Sequence, residues 1–339
     1  MQRLFSLALA TLFALNGAAY ALCTGANALD SLPASTRVAI QDRVDGIPYS
    51  EGLLWLAEKD QRSLVLIGTI HVPDPRLDTL LAQLQPHLAS ADKLFLELTS
   101  EEEQLFQSMM QRDPAKFLIM SGPGLDERLS PEAWSKLTDT LADLPHLGLP
   151  PEAASRLQPW FLGLLLAMPP CMFDSLAQGK LGLDRRIEKA AAQLDLPAGG
   201  LDDPQSLMDM FSDHPLDEQI EDMEAGIMLM DHDPSSIVAL VESYFDGNFQ
   251  IGWEVSLQQG RDVAAKTGRT AWLDAEIAEM EYQMLTVRNQ LWLEELTQEN
   301  QPARAVIAVG AAHMPGESGL LNLLAQDGWN ISSIALDLP

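Results

Sequence analysis

The chain has 339 residues, of which 21 are Lys or Arg and 49 are Asp or Glu, so its formal net charge is −28. Hydrophobic residues make up 47% of the sequence, which is enough for a sizeable core and excludes an intrinsically disordered chain. The acidic balance argues against a nucleic-acid partner or an anionic membrane surface, because both are bound through an excess of Lys and Arg.

The N-terminus predicts an export signal. Met1 to Arg3 supplies a short positive start, an apolar run follows over 4–15, and Ala19-Tyr20-Ala21 has the small-x-small pattern that a signal peptidase cleaves. The run is too short to cross a bilayer as a helix. We therefore expect residues 1–21 to be removed, leaving a periplasmic or secreted protein with no stable membrane anchor. The alternative is a lipoprotein attached through Cys23, for which Leu22 is a bulky preceding residue.

The two cysteines, Cys23 and Cys171, fit this prediction. In an oxidising compartment a pair of thiols favours a disulfide, which would hold the mature N-terminus in place. The alternative is two unrelated buried thiols.

The first half of the predicted fold begins with a β-hairpin, since apolar runs at 53–57 and 64–68 flank a polar turn. Pro73 and Pro75 then open a predicted helix whose leucines recur every three or four residues. The nearly continuous apolar run at 93–98 is typical of a strand buried on both faces.

Residues 101–301 change to amphipathic stretches rich in Met and Leu, which predict a mainly helical insertion. Strand patterns return at 305–309 and 331–336, around a predicted helix at 319–326. We therefore predict an α/β fold in one domain over 22–339. Its central mixed β-sheet is built from 22–100 and 302–339 and is flanked by helices.

The most informative pattern is a repeat. Gly68-Thr-Ile-His71-Val-Pro73 and Gly310-Ala-Ala-His313-Met-Pro315 each follow an apolar strand and precede a helix. Because the carboxyl ends of strands in an α/β layer face a common crevice, we expect His71 and His313 to meet there. Gly68 and Gly310 would let the chain turn or a neighbour approach closely.

Glu97, at the end of the intervening strand, is the expected third member of this group. Two imidazoles and one carboxylate match the number of protein ligands at hydrolytic metal sites that keep a position open for water. Taken singly, a histidine after a strand is more often a capping or core residue, and the repeat is what favours function here.

Arg288 is a fourth candidate. On a helix predicted over 274–298 it falls between Met284 and Leu291 on the apolar face. A buried arginine needs an anionic partner, which would be Glu97 or the charge developing on a substrate oxygen. The alternative is an apolar stem with its head in solvent.

Other polar clusters favour structural roles. Asp231-His232-Asp233-Pro234 is typical of a helix cap rather than a ligand cluster, and Glu101-Glu102-Glu103 of an acidic first turn. The Met-rich segment 223–230 indicates adaptable core, or else the lining of a groove for apolar chains. No spacing implicates the remaining histidines, which are His87, His146 and His214.

These residues together resemble the TraB/GumN/PrgY family, which includes the Tiki proteins. The resemblance rests on Cys23-Thr-Gly, Glu51-Gly-Leu-Leu-Trp55, Gly68-Thr-Ile-His71 with Asp74-Pro-Arg76, Glu97, Pro170-Cys171, Gly182-Leu-Asp184, Arg288-Asn289 and Val309-Gly-Ala-Ala-His313-Met-Pro-Gly316-Glu317. One departure is Leu201-Asp202, where relatives often have Leu-Glu.

The resemblance implies a fold related to the erythromycin-esterase and ChaN-like proteins and, from the Tiki members, metal-dependent proteolysis with manganese or cobalt. Carried over by position, His71, Glu97 and His313 would form the metal or catalytic centre and Arg288 would support it. Arg76 and Glu317 are further supporting candidates.

The resulting hypothesis is an exported hydrolase, a metallopeptidase acting on a peptide or protein substrate. In it, His71, Glu97 and His313 hold one divalent cation and Arg288 stabilises the oxyanion. Two alternatives remain: a metal-free, esterase-like hydrolase in which a histidine acts as the base, and a non-enzymatic protein that binds a peptide or a haem-like ligand. The oligomeric state is left open.

Overall fold

A computed structural model describes residues 23–169, 171–172, 178–230 and 233–339. The predicted signal segment, 1–21, lies outside the described residues, as do Asp231 and His232 of the predicted helix cap. No helix among the described residues is both long and apolar enough to cross a membrane.

The core of the fold is a six-stranded mixed sheet, which confirms the predicted fold class. Its strands are β1 (Leu54–Lys59), β2 (Arg62–Thr69), β3 (Lys93–Leu96), β4 (Ala198–Gly200), β5 (Arg304–Gly310) and β6 (Asn330–Ser333). The spatial order is β4-β3-β5-β2-β1-β6. β4, β3, β5 and β2 run parallel, whereas β1 is antiparallel to both β2 and β6.

The sheet differs from the prediction in one strand that positions the site. β4 comes from within the segment predicted to be helical, so the sheet does not consist of the two chain ends alone. Its Ala-Gly-Gly sequence has no branched or aromatic residue to indicate a strand, and its pairing with β3 supplies the structure. β6 is also shorter than predicted, because its ladder with β1 covers only four residue pairs.

Helices surround the sheet. They are α1 (Ala28–Ser31), α2 (Ala34–Asp45), α3 (Leu77–Ser90), α4 (Ser100–Arg112), α5 (Leu125–Arg128), α6 (Pro131–Asp143), α7 (Pro151–Ala154), α8 (Pro159–Ala167), α9 (Leu183–Gln193), α10 (Pro204–Ser212), α11 (Leu216–Leu229), α12 (Ser235–Phe245), α13 (Phe249–Thr267), α14 (Thr270–Glu281), α15 (Arg288–Thr297) and α16 (Leu320–Gln326). Short 3₁₀ turns span Pro114–Lys116, Pro145–Leu147 and Ala311–His313, and a π-helix spans Tyr282–Val287.

Both faces of the sheet are buried, as the apolar strand patterns predict. On β2, Ile67 faces a cluster with α3, α9 and α12, while Leu64 and Leu66 face a second cluster with α15 and α16. Helices α5, α6, α8 and α11 contribute to a separate apolar cluster of their own. The sheet is therefore covered on both faces, and the helical segment has an apolar core of its own.

Local features confirm several predictions. Cys23 and Cys171 form a disulfide. Thr99 caps α4 in a capping box with Glu102, so the acidic run is the first turn of that helix. Pro234 occupies the N-cap position of α12, and Asp233 just before it accepts hydrogen bonds from the Ser235 N–H and hydroxyl, so the segment starts the helix as predicted, although Asp233 is not itself the cap.

Candidate functional site

The four parallel strands end at one edge of the sheet, and each delivers a polar side chain there. Thr69 ends β2 and His71 follows it, Glu97 follows β3, Asp202 follows β4, and Gly310 at the end of β5 leads to His313. A cavity of about 170 Å³ lies at this edge. Its lining includes Thr69, His71, Glu97, Asp184, Asp202 and Arg288. His313 is not part of the lining.

Arg288 is the cation at the centre of the site. Its Nη2 lies 2.5 Å from both Glu97 Oε2 and Asp202 Oδ2, and its Nε lies 3.2 Å from Asp202 Oδ1. Its Nη1 donates to the Met284 carbonyl oxygen and to His313 Nε2, at 3.1 and 3.2 Å. Only 6% of the side chain is exposed, so the alternative of a head in solvent is wrong. All five N–H groups of the guanidinium are directed at protein acceptors.

Glu97 is held as a carboxylate. Its Oε1 accepts a 2.6 Å hydrogen bond from the Gly310 N–H, and Oε2 accepts from Arg288. Burial alone would raise the pKa of this carboxyl group, but His313, Arg288, His71 and the Gly310 N–H together lower the pKa to about 2. A Cβ at Gly310 would lie 3.1 Å from Glu97 Oε1, so the glycine permits this close approach.

His313 is a buried neutral ring, only 4% exposed. Asn289 donates through Nδ2 to the carbonyl oxygens of His313 and Ser318, so its Oδ1 accepts from His313 Nδ1 at 2.8 Å. The proton is thus assigned to Nδ1, and the Nε2 lone pair accepts from Arg288. The ring centroid lies 4.3 Å from that of Trp292. Burial lowers the pKa of His313 to about 4, and the charge of Arg288 acts in the same direction.

His71 has the opposite environment. Its Nδ1 lies 3.2 Å from Asp184 Oδ1 on α9, and 61% of its side chain is exposed. The hydrogen bond to Asp184 raises the pKa of His71 to about 9, and the charges of Asp184 and Glu97 act in the same direction. Gly182 makes this pairing possible, because a Cβ there would lie 2.7 Å from His71 Cα. The imidazolium therefore predominates at neutral pH.

The residues as placed do not fit the predicted two-histidine, one-glutamate metal centre. The Glu97 carboxylate and the His313 lone pair both bind Arg288, and His71 is paired with Asp184. Within the described part of the chain, no three His, Cys, Asp or Glu side chains are arranged to hold a metal ion. The cation between Glu97, Asp202 and His313 is the guanidinium of Arg288. The manganese or cobalt ion stays a prediction, and this geometry gives it no support.

Of the other supporting candidates, Gly68 lies beside the site, whereas Arg76 and Glu317 lie outside the cavity. A Cβ at Gly68 would lie 3.1 Å from Ala311 Cα, so this glycine lets the two Gly-x-x-His turns pack together. Arg76 instead pairs with Asp74 and Glu242 and does not line the cavity. Glu317 is exposed and also lies outside the lining.

A π-helix explains how Arg288 becomes buried. The predicted helix over 274–298 is broken into α14, the π-helix and α15, and the wider π turn shifts the buried face. Leu291, predicted to lie on the apolar face, is 55% exposed, whereas Trp292 is buried. The Trp292 indole N–H donates to Asp202 Oδ1 at 2.8 Å.

Sequence reasoning gave no role to three residues of the site. Asp184 occurs in the motif Gly182-Leu-Asp184, and Asp202 in the departure Leu201-Asp202, neither of which indicates a partner for its carboxylate. The structure pairs Asp202 with Arg288. Thr69 lines the cavity, and its hydroxyl is buried without a hydrogen-bond partner among the described residues. The Gly-Thr-Ile-His motif contains this threonine, but nothing in the pattern marks its hydroxyl.

Fold and site thus define an α/β protein with paired Gly-x-x-His turns at the carboxyl edge of its sheet. The family model of the TraB/PrgY/gumN family matches residues 53–333. The chain therefore belongs to this family, as its motifs predict. It is also 28% identical over 186 residues to an uncharacterized protein of Treponema pallidum (strain Nichols), a match that covers 54% of this chain and 53% of the relative. The chain thus spans about half the length of this curated relative.

Proposed function

We propose that the protein is an exported hydrolase that cleaves an ester or amide bond, with the His71–Asp184 pair transferring the protons. The observation that carries the proposal is the pairing of His71 Nδ1 with Asp184, which leaves Nε2 without a hydrogen-bond partner among the described residues, in a cavity shared with Glu97 and Thr69. The Cys23–Cys171 disulfide supports the exported location, since such bonds persist in oxidising compartments.

In the proposed reaction, neutral His71 takes a proton from water at Nε2 as the water oxygen attacks the carbonyl carbon. The imidazolium then returns that proton to the leaving group. Asp184 orients the ring and stabilises its charged form. Since the pKa of His71 is about 9, the base form is about 1% of the total at pH 7. Turnover should therefore rise with pH until about 9.

Two neighbours complete the proposed site. Thr69 lines the cavity, and no described residue engages its buried hydroxyl; we assign this hydroxyl to the substrate carbonyl oxygen, which it would meet by rotating towards the cavity. Arg288 directs all its N–H groups at protein acceptors, so it is a positioning residue for Glu97 and Asp202 rather than the predicted oxyanion partner.

The experiment assays the mature protein on a panel of nitrophenyl esters and on an unbiased peptide library. We expect turnover that His71→Gln and Asp184→Asn reduce strongly and that a chelator leaves unchanged. His87→Gln is the matched control, because His87 lies outside the cavity. Full turnover in His71→Gln, or no turnover of any substrate by the unsubstituted chain, would contradict the proposal. Loss of turnover on chelation, with metal content that falls in His71→Ala and His313→Ala, would instead support the metallopeptidase hypothesis.

A further inference from the structure

A second and much larger cavity, of about 670 Å³, lies within the helical segment. Residues of α8, α10, α11, α13, α14 and the π-helix line it. Large apolar side chains dominate its walls and include Trp160, Phe211, Met223, Ile227, Trp272 and Met280. Cavities of this size and composition are typical of sites for apolar ligands.

The charge around this cavity has one sign. Asp222, Glu276 and Glu279 line it, together with His214, and no Lys or Arg belongs to its described lining. Asp222 and Glu279 are exposed and Glu276 is partly buried. Partial burial raises the pKa of Asp222 and of Glu276, and the neighbouring carboxylates act in the same direction, whereas His214 and a hydrogen bond from Trp272 oppose this for Asp222. A ligand with a positive charge would add the cation that no Lys or Arg of the described lining supplies to this group of carboxylates.

The walls offer little to a peptide backbone. They are side chains of helices, whose own N–H and C=O groups are used within the helices. The side-chain amide of Gln219 is also engaged. Its Nε2 donates to the His214 carbonyl oxygen at 2.7 Å, and its Oε1 accepts from the backbone N–H of Trp160 at 3.3 Å. A hydrocarbon chain needs no such partners, so it suits this cavity better than a peptide does.

We propose that the 670 Å³ cavity binds a cationic amphiphile, that is, a single apolar chain that carries a positively charged amine group. The chain lies among the Met and aromatic side chains, and the amine lies near Asp222 and Glu276. The rings of Trp160 and Trp272 add the aromatic faces that favour an alkylammonium group.

This cavity shares structure with the smaller cavity that holds His71. On α10, Leu207 lines the smaller cavity whereas Phe211 lines the larger one. Met284 lines the larger cavity, and its carbonyl oxygen accepts a hydrogen bond from Arg288. The amphiphile is therefore placed as the substrate, or as the apolar part of it. That connection rests on the proposed function, whereas binding itself does not.

The test compares three twelve-carbon amphiphiles below their micellar concentrations: dodecyltrimethylammonium, dodecyl maltoside and dodecyl sulfate. Calorimetry on the mature chain should show the ammonium compound binding about tenfold or more tightly than the neutral one, and the sulfate most weakly. The double variant Asp222→Asn/Glu276→Gln should lose this preference. Glu221→Gln, at an exposed position of α11 outside the cavity, should keep it.

A substitution at Gly226 offers a second test, because a large side chain at this position would fill the cavity. Gly226 on α11 lines the cavity, and a Cβ there would meet no atom within 4 Å. Gly226→Phe should abolish binding of the ammonium probe, whereas Gly226→Ala should keep it. Both variants should unfold at or above the temperature of the unsubstituted chain, because glycine is a poor helix former. If Gly226→Phe fails to fold, the double carboxamide variant still tests the site.

Three results would overturn the proposal: equal binding of the ammonium and sulfate probes, unchanged binding by folded Gly226→Phe, or a basic amphipathic peptide that binds more tightly than the ammonium probe. Failure of the proposed hydrolase is distinguishable from these results. In that case probe binding persists, and no ester or peptide is turned over.

Discussion

The two Gly-x-x-His turns follow neighbouring parallel strands, yet they place their imidazoles in opposite environments. His71 lies at the cavity beside the carboxylate of Asp184, and its pKa is raised to about 9. His313 is buried against Trp292 and Arg288, and its pKa is lowered to about 4. One ring is therefore mostly charged and the other neutral at the same pH.

The difference arises from residues outside the repeat. α9 supplies Asp184 to the first turn, whereas α15 supplies Arg288, Asn289 and Trp292 to the second. The repeated motif thus sets the position of the two histidines at the edge of the sheet. Residues of the surrounding helices set the hydrogen bonds and the charge of each ring. In our account, His71 transfers protons and His313 positions Arg288.

The largest expected effect comes from removing the cation on the His313 side. Arg288→Met leaves the Glu97 and Asp202 carboxylates without their partner, and we expect the free energy of unfolding to fall by about 3–5 kcal/mol. Urea denaturation at pH 7 measures this. Arg304→Met is the matched control, because its pair with Asp92 is exposed and should contribute little to stability. Equal losses in the two variants would contradict the assigned role of Arg288.

On the His71 side we expect a loss of activity, and no loss of stability once the pH exceeds the pKa of His71. His71→Gln removes the proposed proton-transfer group, so kcat/KM should fall about 10²–10⁴-fold. The midpoint of urea unfolding should change little above about pH 9, where the charge-dependent contribution of His71 is lost and the mostly exposed side chain buries little surface. A variant that unfolds early and retains turnover per folded molecule would assign His71 a structural role instead.

The matching change at the second turn should give the reverse result. His313→Ala removes a buried ring and two hydrogen bonds, and we expect the free energy of unfolding to fall by about 2–3 kcal/mol. Any loss of turnover should follow the displacement of Arg288 and Glu97, and His71 should keep its raised pKa. If His313→Ala is as stable as the unsubstituted chain, the positioning role is wrong.

The two rings should also give opposite slopes of stability with pH. For His313 the folded pKa of about 4 lies below the ordinary 6.5, so the unfolded chain takes up the proton first as pH falls. The free energy of unfolding should drop between pH 6.5 and 4, by at most about 1.4 kcal/mol per pH unit. The folded pKa of His71 lies above 6.5, so its contribution is complete below pH 6.5 and is lost as pH rises through about 9.

Denaturation of the unsubstituted chain and of each histidine variant, between pH 4 and pH 10, separates these slopes from those of the carboxylates. The slope of stability with pH should differ from that of the unsubstituted chain only between about pH 4 and 6.5 for His313→Ala, and only between about pH 6.5 and 9 for His71→Gln. Slopes of the same sign would remove the contrast between the two turns.

Much of this arrangement could be predicted from local sequence patterns. Apolar runs marked β2, β3 and β5, and the repeat after two of these strands placed His71, His313 and Glu97 at one edge of the sheet. These features are local, because each depends on a run of adjacent residues and on the general geometry of parallel strands.

What could not be predicted depends on contacts between distant segments. β4 has an Ala-Gly-Gly sequence that acquires strand structure only beside β3, and it carries Asp202 to the site. The π-helix before Arg288 shifts the buried face away from the positions that a regular α-helix would bury. Leu291, which the α-helical spacing predicts to be buried, is therefore exposed. The sequence predicts Glu97 as a partner of Arg288, whereas the pairing of Asp202 with the same guanidinium depends on side-chain geometry that spacing does not encode.

The central claim is that the two imidazoles differ in charge and in the contacts that fix them. Nitrogen-15 NMR of the histidine rings in the mature chain, assigned with His71→Gln and His313→Ala, measures both pKa values and both tautomers. The account predicts that His71 titrates near pH 9 and falls towards 6.5 in Asp184→Asn, while His313 stays neutral with its proton on Nδ1 down to about pH 4. Two rings that titrate together near pH 6.5, or a His313 proton on Nε2, would contradict it.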